Sequence, residues 1–357
     1  MPDPRTLTTA VTRDASASGS RSGSARHVGA FPSRARARRY GVLLVVLAVA
    51  AVAIAVGILA WDNPAPAGSD GFWRIAQLRV ESLVVILVVA CCQSIATITF
   101  QTVVGNRIVT PSLLGFESLY TAISTTMIFV FGVSGVLILQ GVGAYLLQIL
   151  LMLVFAGILY GWLLSGKYAN VQIMLLVGII LGGALAAFST FLQRLLTPTE
   201  FDLLTARLIG SVANADVAYL PYAVPLAALA IVALVWGGRR LDVIALGRPV
   251  ALGLGVSHRR DSILALLAVS VLMAVSTSLI GPMTFFGFLV AMLTYQLADT
   301  YSHRRMFAMS WLVGFVVLGG AYFVMKHVFY AAGSVGIIVE IVGGTFFLVY
   351  LLRKGRL

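Results

Sequence analysis

Apolar residues in this chain run on for about twenty positions at a time, stop at a short polar or glycine-containing connector, and start again. Ten such runs follow one another, at 40–61, 80–100, 113–131, 142–164, 171–192, 217–236, 263–280, 283–297, 306–324 and 335–352. A bilayer core about 30 Å thick needs roughly 20 apolar helical residues to cross it. Inside lipid the backbone must satisfy its own hydrogen bonds, so each run predicts a helix. The expected fold is therefore all-α, a polytopic membrane bundle of about ten transmembrane helices. The eighth run is the shortest, and Gly281-Pro282 ahead of it predicts a helix start, because proline fits the first helical turn.

Charge orients the bundle. With the N-terminus inside, 20 of the 25 lysines and arginines fall on the cytoplasmic side; only Arg74, Arg79, Arg194, Arg207 and Lys326 fall outside. The positive-inside rule then places both termini in the cytoplasm and the chain in a plasma membrane. Residues 1–39 are rich in Ser, Ala, Gly and Arg without apolar periodicity and read as a disordered basic cytoplasmic tail, leaving 40–357 as the transmembrane domain. A cleavable signal peptide ending near Ala65 and Ala67 is the competing reading. Its apolar run would be longer than the usual 7–15 residues, which favours a retained anchor. The net charge of +12 calls for anionic headgroups at the membrane face and no nucleic acid. Cys91 and Cys92 are adjacent within the second run and read as small core residues.

Two stretches imitate catalytic motifs. Gly161 to Tyr168 approaches the phosphate loop GxxxxGK[ST], but an apolar helix precedes it and Tyr168 replaces the hydroxyl residue that would meet magnesium. Gly132-Val133-Ser134-Gly135 resembles the serine site of an intramembrane protease, yet none of the four histidines lies in an apolar run to serve as its base. No His, Cys and carboxylate cluster has metal-ligand spacing. The chain predicts no catalytic residue, no metal site and no bound cofactor, which is the profile of a conduit.

What interrupts the apolar pattern carries the functional expectations. The longest cytoplasmic interruption, 237–261, holds Ile244, Leu246, Val250, Leu252, Leu254 and Val256 between arginine pairs. It suits either docking on a cytosolic partner or resting on headgroups. Pro249 can start a short helix there, and Gly253 and Gly255 can end it. A charge at a helix centre costs about 2.5–3.5 kcal/mol on insertion scales and marks a functional candidate. Glu340 in the tenth run and Glu117 in the cytoplasmic third of the third run are such candidates for a translocation path, or for pairing with a neighbouring helix. A gradient-driven secondary transporter with either as proton carrier is the alternative to a partner-driven permease. Gly157/Gly161 and Gly178/Gly182 have the four-residue spacing that permits close helix approach.

Three blocks carry a resemblance. Residues 100–120, FQTVVGNRIVTPSLLGFESLY, residues 281–291, GPMTFFGFLVA, and the loop pattern Leu246-Gly247…Ala251…Leu254-Gly255-Val256 are similar to those of the FecCD-type permeases. These are membrane subunits of ATP-driven importers for iron–siderophores, haem and vitamin B12. Residues 191–194 and 207–214 resemble the subgroup that handles ferric siderophores. The resemblance, from about residue 75 onward, implies a vitamin-B12-permease-like bundle that is not itself an enzyme. It also implies a second permease subunit, copy or related chain, and two cytosolic ATPase subunits that use ATP and magnesium. A periplasmic or lipoprotein binding protein would deliver the ferric siderophore to a bacterial inner membrane. The ATPase contact would fall on Leu246, Gly247, Arg248, Ala251, Leu254, Gly255 and Val256. Arg79, and more loosely Arg74 and Lys326, would meet the binding protein, with headgroup anchoring as the other role open to them. One departure stands in the loop: Pro249 occupies a position where the family usually carries an acidic residue.

Overall fold

The computed structural model describes residues 31, 33–66, 68–138, 140–165, 171–212, 215–330 and 335–354, and every regular element among them is helical. Helix α1 (Arg34–Ala60) starts six residues ahead of its apolar run, with Ser33 accepting from the Arg36 amide at 3.3 Å as its cap. Residues 34–39, expected in the tail, are thus helical; the tail before Phe31 lies outside the described residues. Helix α2 (Asp70–Val104) follows. A one-turn helix at Pro111–Leu114 then leads into α3 (Phe116–Phe131) and the short α4 (Val133–Ile138). Next come α5 (Val142–Ser165), α6 (Val171–Gln193), the short α7 (Pro198–Leu208) and α8 (Leu220–Trp236). Two short helices, α9 (Gly238–Ile244) and α10 (Arg248–Gly253), precede α11 (His258–Ile280), α12 (Phe286–Ala298), α13 (His303–His327) and α14 (Val335–Lys354).

Each of the ten apolar runs has its helix: α1, α2, α3, α5, α6, α8 and α11 to α14. Among the described residues, seven are long and apolar enough to cross a membrane, while α3, α12 and α14 are shorter apolar helices. The core is built on α2 and α11, which pack on each other and carry α13, α12, α5 and α8 around them. Small polar residues at this centre bond back into their own helix. Thr97 donates to Gln93 O at 2.7 Å, Ser270 to Leu266 O at 2.8 Å and Thr294 to Val290 O at 2.7 Å, so close packing leaves these hydroxyls satisfied. A Cβ placed on Gly287 of α12 would come 2.2 Å from the Thr97 hydroxyl, which is why glycine stands there. On the rim, α1 exposes a row of valines at 42, 45, 46, 49, 52 and 56. So large an apolar surface suits lipid rather than water.

Length is where α3 and α12 differ from the rest. At 16 and 13 residues they span about 24 Å and about 20 Å, short of a core about 30 Å thick. The one-turn helix Pro111–Leu114 precedes α3 and the non-helical residues 281–285 precede α12; inside lipid, backbone outside regular helix is tolerated only where protein or a cavity surrounds it. Gly281-Pro282 consequently ends α11 instead of opening the eighth helix, which starts at Phe286. Of the two glycine pairs, Gly178 and Gly182 press against Leu114 and Gly115, whereas a Cβ at Gly157 or Gly161 would meet nothing within 4 Å. Gly157 and Gly161 make no close helix approach among the described residues.

Candidate translocation and coupling sites

The breaks before α3 and α12 face each other, and Glu117 lies between them. It stands in the first turn of α3, 8% exposed. Thr284 Oγ1 donates to its Oε2 at 2.6 Å, and the Met283 amide donates to its Oε1 at 3.3 Å. The carboxylate thus takes up backbone and side-chain donors ahead of α12 while sitting at the positive end of α3, where helix dipoles favour an anion. Glu117, expected in the cytoplasmic third of its run, stands in the first turn of α3 and against the break before α12. Glu340 approaches the Thr284 amide from α14 and is otherwise exposed on that helix. The two carboxylates named from sequence therefore reach the same threonine from opposite sides, one buried and one open.

Backbone holds this junction together. Gly281, at φ +91°, turns the chain out of α11 in a conformation glycine adopts without strain. The Ser211 amide donates to Ile280 O at 2.9 Å and the Gly336 amide to Gly210 O at 2.8 Å. A Cβ at Gly210 would lie 2.6 Å from Pro282 O, and one at Gly336 2.8 Å from Gly210 O. The segment after α7, the break after α11 and the start of α14 meet main chain to main chain.

The opposite end carries the loop between α8 and α11. Leu241, Ile244 and Ala251 are buried and fasten α9 and α10 to the bundle. Leu246, Val250, Leu252 and Leu254 turn outward, 46–61% exposed, with Arg248 and Gly255 also exposed and Val256 half-buried. Pro249 sits at the start of α10, and Gly247 and Gly255 bracket the helix with positive φ. Polar contacts fix the loop from beneath. Arg240 pairs with Asp261 at 2.8 Å. Asp242 Oδ1 accepts from the His303 amide at 2.8 Å and pairs with its Nδ1 at 2.6 Å, while His303 Nε2 lies 2.7 Å from the Thr102 hydroxyl. One chain of contacts thus ties α9 to α13 and α2.

At the end away from this loop, the Arg79 guanidinium donates to the carbonyls of Ile58, Leu59, Trp61 and Asp62 at 2.6–3.4 Å, closing the C-terminus of α1. Arg74 is exposed on the first turns of α2, and Lys326 lies 5.5 Å over the Tyr322 ring. The structure gives Arg79 a structural task and leaves Arg74 more open. Cys92 is buried and Cys91 half-buried, both free thiols. Gly132 forms a turn that the Gly135 amide closes at 2.9 Å. Gly166, Lys167 and Tyr168 of the phosphate-loop lookalike are outside the described residues, among which no His, Cys, Asp and Glu group could hold a metal ion. Sequence reasoning missed Thr284, Asp242 and His303. The last two sit just outside apolar runs, where an acid and a histidine look like ordinary connector residues.

Comparisons with known proteins agree with this architecture. The model of the FecCD transport family matches residues 63–354. The petrobactin import system permease protein FatC of Bacillus anthracis is 46% identical over 93% of this chain and 94% of its own length. The petrobactin import system permease protein YclO of Bacillus subtilis is 32% identical over 78% of this chain and 88% of its own. A solved structure of a metal-chelate type ABC transporter in an inward-facing conformation shares the fold, with a TM-score of 0.75, 21% identity, and coverage of 88% of this chain and 99% of that one. The chain belongs to the FecCD transport family.

Proposed function

We propose that the chain is one permease subunit of an ATP-driven importer that carries a ferric siderophore into the bacterial cytoplasm. The observation that carries this reading is the near-full-length likeness to a petrobactin import permease, at an identity well above that needed for a shared family. The loop supports it: four aliphatic side chains raised on α10 and the turns flanking it form the kind of apolar patch that marks a protein contact. In this reading Leu246, Gly247, Arg248, Ala251, Leu254, Gly255 and Val256 meet an ATPase subunit that hydrolyses ATP, and the loop end faces the cytoplasm together with both termini. Arg74 and Lys326 lie where a substrate-binding protein would dock, and Glu117 and Glu340 border the path. A second permease subunit completes the conduit. ATP-driven contacts at the loop then shift the population between states open to either side.

Reconstitution tests it. Proteoliposomes holding the complete complex should take up radioiron from a ferric siderophore only with ATP inside the ATPase-bearing compartment and with the binding protein outside. Uptake by this protein alone, driven by a pH gradient without ATP, would instead favour the secondary-transporter reading. Orientation is read separately, by impermeant thiol labelling of single cysteines placed at Leu254 and at Trp61. Only the Trp61 position should react from outside.

A further inference from the structure

Between α3, α7 and the far end of α11 lies a cavity of about 370 Å³, away from the coupling loop and bordering the Glu117 junction only at Gly281. Its walls include Arg207 from the last turn of α7, Tyr120 from α3, Ser278 from α11 and Tyr219 from the one-turn helix at Val217–Tyr219. Tyr120 and Tyr219 are 3% and 8% exposed, so the aromatic walls are fixed in the protein. Tyr219 stacks on Tyr145 at 4.6 Å and accepts from the Gly141 amide at 3.0 Å. The Tyr120 hydroxyl hydrogen-bonds Arg207. A guanidinium carries five N–H donors in a planar fork, so holding Tyr120 and meeting an anion are compatible.

An arginine in the last turn of a helix complements its dipole. That accounts for a positive charge at the end of α7 but not for the tyrosine-walled hollow in front of it. Asp216 also borders the cavity. It is exposed, and its Oδ1 accepts from the Ala218 amide at 2.9 Å. Its charge is therefore screened by solvent more strongly than that of the half-buried Arg207, and the inner wall is left net attractive to anions. The floor is Ile280, the last residue of α11, and Gly281, the first residue of the break that runs on through Thr284. A group seated here touches one end of the segment that Glu117 holds at the other.

We propose that this cavity is a subsite for one anionic oxygen-bearing arm, a carboxylate or a phenolate, of the imported chelate. The inference rests on the importer reading. Ferric iron is a hard cation, chelates that hold it present anionic oxygens, and arginine with tyrosine hydroxyls is the donor set that recognises them. At about 370 Å³ the cavity has room for such an arm.

The test compares R207Q and R207K with wild type in the reconstituted complex, using ferric dicitrate as the carboxylate-bearing probe and an uncharged ferric trihydroxamate as the control. R207Q should raise KM for ferric dicitrate about tenfold, the scale of one charge-assisted hydrogen bond. R207K should restore part of that, and trihydroxamate uptake and the amount of folded protein should stay within about twofold of wild type. Equal loss for both probes, or no change in KM for ferric dicitrate, overturns the subsite. So does a wild type that carries the trihydroxamate alone. If the wild type carries only ferric dicitrate, a rise in KM at unchanged maximal rate supports the subsite and a fall in maximal rate alone overturns it. If the wild type carries neither probe but takes up another ferric chelate, the same R207Q comparison is made with that chelate. A KM unchanged for one bearing carboxylate or phenolate arms, or uptake of chelates without such arms alone, overturns the subsite. A wild type that carries no ferric chelate overturns the importer reading on which the subsite depends.

Discussion

The loop that carries α9 and α10 and the junction around Gly281 are both interruptions of an apolar pattern, yet they are built in opposite ways. The loop is made of side chains: buried Leu241, Ile244 and Ala251 hold it down, and exposed Leu246, Leu252 and Leu254 stand up from it. The junction is made of main chain, with Gly210 and Gly336 allowing segments to touch where a single Cβ would intrude, and Gly281 turning the chain at positive φ. A surface meant to meet another protein can tolerate changes of side chain without losing its own fold. A break inside a membrane cannot, because every backbone group there must find its partner within the protein.

The largest effect should therefore come from the junction. Gly210→Val places a Cβ 2.6 Å from Pro282 O, backbone against backbone with no rotamer to give way. Overpacking of this kind costs about 1–3 kcal/mol or more, and the variant should melt well below wild type in detergent and lose import. A melting temperature equal to that of wild type would break the contrast at its root. Glu117→Gln comes next. The amide oxygen can keep the Met283 amide, but the Thr284 hydroxyl then faces an NH2 group and must turn from donor to acceptor, exchanging a charge-assisted hydrogen bond for a neutral one at a cost of about 1 kcal/mol. Its destabilisation should be measurable by the same melt, and smaller than that of Gly210→Val.

The loop should answer differently. The double variant Leu252→Ser, Leu254→Ser removes two exposed aliphatic side chains, and surface changes of this kind alter stability by no more than about 0.5 kcal/mol each. Capture of the ATPase subunits should nevertheless fall about tenfold, on the scale of an interface residue that matters. An early melt would mean that these leucines pack within the chain and that the two regions are less different than their geometry says.

How much of this was legible in the sequence follows the same division. Runs of apolar residues mark where helices cross, so all ten could be placed. Exposed leucines within a polar connector stand out by composition, so the loop could be found. The junction could not be read in the same way. Gly281-Pro282 is an acceptable helix start by local rules, and only the packing of Gly210 against Pro282 O shows that the chain stays unwound until Phe286. Glu117 was visible as a charge in an apolar run, but its partners lie 166 and 167 residues away. Arg79 teaches a related lesson. The family resemblance suggested docking, whereas the α1 carbonyls it reaches give it a capping role that sequence spacing does not encode. Arg79→Gln should accordingly cost about 1 kcal/mol of stability, the scale of a lost hydrogen-bonded cap, while affinity for the binding protein changes less than it does in Arg74→Glu. A large drop in that affinity for Arg79→Gln, with no loss of stability, would return Arg79 to the docking surface.

The smallest effect belongs to the loop's own ion pair. Arg240 and Asp261 meet at 2.8 Å, with the Arg240 side chain 65% exposed and the Asp261 side chain 9% exposed. Such a half-exposed pair contributes about 0–1 kcal/mol and weakens as salt screens it. Arg240→Ala should therefore shift the melt only slightly, and the shift should shrink further at high salt. Asp242→Asn should do more: its carboxylate holds both the His303 amide and the His303 ring, and that ring in turn lies against Thr102 of α2. The expected signature is loss of ATP-driven import with the ATPase subunits still bound, because the exposed leucines of the loop are untouched while its tie to α2 and α13 is loosened. If Asp242→Asn and Arg240→Ala behave alike, the loop is held by its buried aliphatic residues alone, and the polar tie beneath it carries no motion from the ATPase side into the bundle.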